Sequence, residues 1–296
     1  ALAVPFCGLA GARLGGRRTA LVAAALAAVS PLLWVYDALL LSETLAVTSM
    51  AAASWLALKA RDERGRDLRT VAALGVALGV LTLTRAEALL LVPVVLLAAM
   101  GRRAWRPVVV GAAAVGVVVA PWVAYNMVRF EEPATLSTQM GTTLAHANCD
   151  DTYEGEFLGW WSYPCAASIP QPPGDASVAD ANYREHSLEY IGDHLGRLPV
   201  VVLARVGRTF GLFDPVDQST LDRVEGRPKY TAAATTILWY PTAILAFVGW
   251  RVLRRRGWSW RDLTPLWSPI ACVLVTVMAF YGTTRFRALA EPAFVV

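Results

Sequence analysis

This chain is short of charge. Only 17% of its 296 residues are Asp, Glu, Lys or Arg, where a soluble domain carries about a quarter. Lysine is nearly missing, with Lys59 and Lys229 the only two. So little charge excludes a disordered chain and a coiled coil. Four cysteines are too few for a small disulfide scaffold. Three histidines, none at zinc spacing from a cysteine pair, exclude a zinc finger. Glycine has no period of three, so collagen is excluded. No internal repeat and no low-complexity linker is visible. The first residues, Ala1-Leu2-Ala3, lack a signal-peptide n-region. Residues 1–11 and 288–296 are apolar but too short to span a bilayer, which takes about 20 residues. The expectation is a fragment cut inside a helix at both ends.

What the chain does have is apolar length. Hydrophobic residues make up 56%, and the mean hydropathy is +0.45. They fall in blocks at 19–36, 38–58, 70–84, 88–100, 107–126, 232–250 and 264–282. This pattern predicts an all-α, polytopic integral membrane protein. The net charge of +4 is carried by arginines in short loops between the blocks, not on one polar face, so no nucleic-acid partner is expected.

The arginines give the topology. Arg13, Arg17 and Arg18 mark one loop. Lys59, Arg61, Arg64, Arg66 and Arg69 mark a second, and Arg102, Arg103 and Arg106 a third. Arg251, Arg254, Arg255, Arg256 and Arg261 mark a fourth. The positive-inside rule places all four in the cytoplasm. The block 70–100 must then leave and return, with its break at Thr84-Arg85-Ala86-Glu87. Each arm is roughly 20 Å long, shorter than a ~30 Å hydrocarbon core, so the Arg85/Glu87 tip should lie in a depression below the outer surface.

The division expected is 1–126 as membrane helices, 127–231 as an extracytoplasmic region, and 232–296 as further membrane helices. Residues 198–213 are apolar enough to span, but a span there would put Arg254, Arg255 and Arg256 outside. The reading adopted is an amphipathic helix on the outer surface, with Arg205 and Arg208 facing headgroups or substrate. The run 137–148 reads as a loop over a cavity, 170–182 as a Pro-rich loop and 183–195 as a short polar helix. Cys7 and Cys272 sit in apolar blocks and read as packing residues. Cys149 and Cys165 lie in the outer region, where oxidation is permitted, and a disulfide is predicted.

Six charges fall near the outer membrane boundary: Asp37, Glu43, Arg85, Glu87, Arg285 and Arg287. Charge beside hydrocarbon is costly and so points to function. Arginines fork onto phosphate, and carboxylates can act as general base or hold a divalent metal. Together they suit a lipid-phosphate-linked sugar. Bland alternatives stand beside this. Asp37 could be a helix cap, and Arg85 and Glu87 could pair with each other. Glu43 lies inside an apolar run, where capping does not explain it. Trp160, Trp161, Tyr153 and Tyr163 read either as an interface belt or as a sugar-stacking platform.

Several stretches resemble one family. These are Ser30-Pro31 through Tyr36-Asp37 to Ser42-Glu43-Thr44, Leu83-Thr84-Arg85-Ala86-Glu87 with Pro93, Pro121-Trp122 to Asn126, and Ser137-Thr138 with Gly141 and Asn148. Ala204-Arg205 to Arg208 and Arg285-Phe286-Arg287 to Pro292 complete the set. Their order resembles the polytopic GT-C glycosyltransferases, the group of the protein O-mannosyltransferases and aminoarabinose transferases, in an actinobacterial type. The resemblance implies a GT-C-type helical bundle in the plasma (inner) membrane, with the active site on the extracytoplasmic side. It implies inverting transfer of a sugar from a polyprenyl-phosphate donor to a glycan, lipid or protein acceptor. Glu43 matches the family's second acidic position, with Asp37 the other candidate carboxylate. Arg85 matches a basic position, and Arg285 and Arg287 match a late arginine motif that would hold the donor phosphate. In some members a metal assists, and Glu43 is the candidate ligand here. The family's principal catalytic Asp lies in a first outer loop that this chain, read as starting within the second helix, does not contain. The competing readings are a flippase or transporter for lipid-linked sugars, which the break at 84–87 would fit, and a non-catalytic membrane scaffold.

Overall fold

The computed structural model describes residues 2–39, 41–100 and 105–296. Arg102 and Arg103 of the third basic loop, and Leu40, lie outside the described residues. The described residues are helical, with no strand among them. In chain order the helices are α1 (Ala3–Val29), α2 (Val35–Leu39), α3 (Glu43–Asp62), α4 (Leu68–Thr84), α5 (Leu91–Met100) and α6 (Trp105–Arg129). Then come α7 (Met140–Ala147), α8 (Asp150–Tyr153), α9 (Tyr163–Ala167), α10 (Ala176–Asp193), α11 (Leu198–Thr209) and α12 (Pro215–Val224). The last four are α13 (Lys229–Arg255), α14 (Thr264–Ala279), α15 (Thr284–Arg287) and α16 (Glu291–Val295). Short 3-10 turns cover Pro31–Leu33 and Ala86–Leu90.

Contacts divide the chain into two units. The first holds 1–119, 219–273 and 287–296, and the second holds 120–218 and 274–286. Residues 219–231 therefore fold with the first unit.

In the first unit, α1 is two arms joined at Gly16, whose φ of +79° suits a residue without Cβ. The arms lie close together. A Cβ on Gly11 would stand 2.9 Å from both the Ala23 Cβ and the Thr19 carbonyl oxygen. Small residues permit such approach between membrane helices. Arg17 and Arg18 follow the turn directly. α3 packs against α1 and α4, and the core gathers Cys7, Leu32, Leu33, Tyr36, Val47 and Val295. Asp67 caps α4, accepting from the Arg69 N–H at 3.0 Å and from the Thr70 hydroxyl at 2.7 Å. These bonds hold its carboxyl below the usual range, the Thr70 bond foremost. α4 ends where Arg85 turns extended (φ −145°, ψ 102°). Cys7 and Cys272 are both buried, and neither is in a disulfide.

Among the described residues, two helices are long and apolar enough to cross a membrane: Trp105–Arg129, with mean hydropathy 2.1, and Lys229–Arg255, with 1.5. Only 17% of either apolar window is buried, so most of this surface faces outward. That fits a lipid surround. Leu68–Thr84, Ala86–Ala99 and Thr264–Ala279 are apolar but shorter.

In the second unit, Cys149 and Cys165 are joined as a disulfide, with Cα atoms 5.7 Å apart. The 137–148 run is not a loop. Residues 140–147 of it form α7, and the expectation is corrected on a visible cause. Asp180 of α10 accepts from the Gly141 N–H at 2.6 Å and the Thr142 N–H at 3.4 Å, satisfying donors that a helix start leaves open. A Cβ on Gly141 would lie 1.9 Å from the Asp180 carbonyl oxygen, so only glycine allows this approach. The helix expected at 183–195 begins earlier, at Ala176. Asp175 caps it, accepting from Ser177 N–H at 2.8 Å and Val178 N–H at 3.4 Å.

Candidate active site

The first unit buries a set of charges around the ends of α2 and α3. Glu43 opens α3, where a carboxylate complements the helix dipole, and it is 2% exposed. Its Oε1 accepts from the Arg85 guanidinium, 42 residues away, in a direct ion pair. The extended backbone at Arg85 is what turns its side chain away from the α4 axis. The alternative pairing, Arg85 with Glu87, is therefore corrected. Glu87 is half-buried and forms no ion pair among the described residues, while its backbone carbonyl accepts from the Cys272 thiol at 3.5 Å. Asp37 lies half-buried in the first turn of α2.

Sequence reasoning missed a second cluster in the same unit. Arg227 is fully buried between Asp222, at 2.7 Å, and Glu225, at 3.0 Å. Burial opposes its charge, but Tyr36, Asp222 and Glu225 together outweigh burial and hold Arg227 above its ordinary value. The Tyr36 ring lies 5.9 Å from the same guanidinium. No periodic signal marks Arg227, which falls in a turn between α12 and α13.

Arg287 was expected to meet a donor phosphate, and its geometry corrects this. It is 1% exposed. Its Nε donates to Glu291 at 2.9 Å and its Nη2 to the Thr235 carbonyl at 3.4 Å, with the Trp239 ring 4.1 Å away. Burial lowers its basicity, and Glu291 opposes that. The i,i+4 spacing of Arg287 and Glu291 was the available signal. The neighbouring Arg285 is half-buried and belongs to the second unit.

Arg205 and Arg208, expected to face headgroups or substrate, are also corrected. Both are 1% exposed. Arg205 donates to the carbonyls of Ala147 at 2.7 Å and Met278 at 3.2 Å, and to Asn148 Oδ1 at 2.9 Å. Burial brings it down to about 10. Arg208 donates to the carbonyls of Glu156 at 2.6 Å and Leu158 at 2.7 Å, and pairs with Asp217 at 3.0 Å. α11 thus turns its arginines into its own unit, because irregular segments there leave carbonyls that need donors.

The aromatic cluster divides. Tyr153 and Trp160 are buried, the Tyr153 hydroxyl donating to Asn148 at 2.9 Å. Tyr163 is exposed, and its ring lies 6.1 Å from His146, which is 5.9 Å from Trp161. Burial pushes His146 below its ordinary value of 6.5.

As a metal ligand Glu43 fits poorly. A hard divalent cation collects several oxygen ligands, whereas one Glu43 oxygen is already engaged by a guanidinium. The pair sets a fixed carboxyl group beside a guanidinium.

No curated protein and no solved structure matches this chain. Residues 8–130 match a family model described as dolichyl-phosphate-mannose-protein mannosyltransferase. The match covers less than half of the chain, and it includes Asp37, Glu43, Arg85 and Glu87. Proteins of that family are membrane-embedded glycosyltransferases, and residues 8–130 are similar to them.

Proposed function

We propose that this protein is a multi-pass membrane glycosyltransferase that moves a mannose-like sugar from a polyprenyl-phosphate donor to an extracytoplasmic acceptor, with inversion. The observation that carries this reading is the buried Glu43–Arg85 pair, which lies within the mannosyltransferase-like segment. Asp37, half-buried at the start of α2, lies in the same segment.

The acceptor hydroxyl oxygen attacks the anomeric carbon and forms the new glycosidic bond. The bond from that carbon to the phosphate oxygen breaks, and the polyprenyl phosphate leaves with the electron pair. The hydroxyl proton passes to a carboxylate. Glu43 is oriented by Arg85, a geometry suited to steering that hydroxyl or taking its proton. Arg85 keeps part of its guanidinium accessible, with 17% of its side chain exposed, and so can also meet developing phosphate charge. Glycan, lipid or protein acceptors all satisfy this chemistry.

The test uses the intact protein in membranes, supplied with polyprenyl-phosphate mannose labelled in the sugar and an envelope acceptor extract. The expected result is label in the acceptor, with the anomer opposite to that of the donor. Donor that instead becomes accessible across the bilayer, with no transfer, would replace this reading with a flippase.

A further inference from the structure

The first unit also holds a large cavity that the proposed chemistry does not use. Its volume is about 630 Å³. It lies among α1, α13, α14 and α16, with Leu14, Leu26, Phe247, Trp250 and Leu266 on its walls. Arg256 is the one charged residue among those that line it. The wall residues Leu245, Phe247 and Val248 are 51–55% exposed, so the cavity opens on the outward apolar face of α13. Water does not fill such a space, because each buried water needs polar partners. An empty one would forfeit the dispersion contacts of its walls.

The rim is basic. Gly15 and Thr19 line the cavity, and Arg17 and Arg18 lie between them in sequence. Arg17, Arg18, Arg255 and Arg256 are all exposed and form no ion pair among the described residues. Basic pockets between membrane helices on the cytoplasmic side suit anionic lipid headgroups.

We infer that this cavity is a binding site for an anionic phospholipid of the cytoplasmic leaflet. An acyl chain would lie along α13, and the phosphate would meet Arg256 with its basic neighbours. The inference rests on the membrane topology read from the arginines, and it is independent of glycosyl transfer.

The test uses the full-length protein purified in mild detergent and moved to nanodiscs of phosphatidylglycerol or phosphatidylcholine. The expected result is a Tm several degrees higher in phosphatidylglycerol. In Arg255→Glu/Arg256→Glu that difference should vanish, and phosphatidylglycerol retained on the purified protein should fall at least five-fold. An unchanged lipid preference in this variant would overturn the inference. Because the cavity could instead be filled by polypeptide, Val22→Cys, on the cavity wall, gives a second readout. A nitroxide label on it should relax through oxygen dissolved in lipid, as acyl chains in the cavity allow, and a label that oxygen does not reach, as packed polypeptide gives, would also overturn the inference. Sidedness is read separately, from an impermeant maleimide on Arg255→Cys. Labelling from the outer face alone would remove the topological premise and with it the leaflet assignment.

Discussion

Both units bury arginines, and they spend them differently. In the first unit, Arg85, Arg227 and Arg287 each meet carboxylates. In the second, Arg205 meets two backbone carbonyls and an asparagine oxygen, and Arg208 meets two carbonyls beside Asp217. A guanidinium among carbonyls ties irregular backbone together. Its charge has no other outlet, and its removal leaves several acceptors unpaired. A guanidinium on a partly accessible carboxylate pair keeps a charge in place that a substrate can use. Arg287 and Arg227 are buried too deeply for that, whereas the Arg85 side chain is 17% exposed.

This contrast can be broken in order of expected effect. Arg205→Ala should destabilise the second unit by about 3 kcal/mol or more, because it strands buried acceptors. Arg205→Lys should not restore it, since one ammonium cannot span the same fork. Thermal unfolding of the intact protein would show both. If Arg205→Ala kept its Tm and lost only activity, the assignment of roles would be reversed.

Removing the disulfide by Cys149→Ser is expected to cost about 3 kcal/mol, again in the second unit. A shift in proteolysis confined to 140–168 would register it. No loss under oxidising conditions would mean that the bond contributes little to folding.

A smaller effect sharpens the same boundary by pH. His146 is held below 6.5 by burial, so its folded form takes up a proton less readily than its unfolded form. It therefore contributes stability that is present above pH 6.5 and is lost as pH falls through the lower, folded value. His146→Gln should flatten that part of the profile. Asp175, lowered chiefly by its bond from Ser177, acts in the same direction further down. Its contribution is present above the ordinary carboxyl range and is lost in acid.

How much of this was readable in the sequence follows from what each feature depends on. The helical class followed from block length, and the break at Arg85 from charges interrupting an apolar run. The tight turn of α1 coincides with Gly15-Gly16 and the basic pair after it. The partner of Arg85 was not readable, because a pair separated by 42 residues depends on how α3 and α4 pack. α11 misled for a related reason. Its amphipathic pattern was real, but pattern alone does not say whether the polar face meets headgroups or carbonyls of its own fold. α7 was hidden because the start of that helix is satisfied by Asp180, a residue 39 positions further along.

The central claim is that Glu43 serves chemistry while Arg205 serves the fold. The most direct test measures sugar transfer and Tm together in Glu43→Gln, with wild type and Arg205→Ala beside it. The account predicts that Glu43→Gln stays folded while transfer falls about 100-fold or more. Glu43→Gln transferring at the wild-type rate would contradict it.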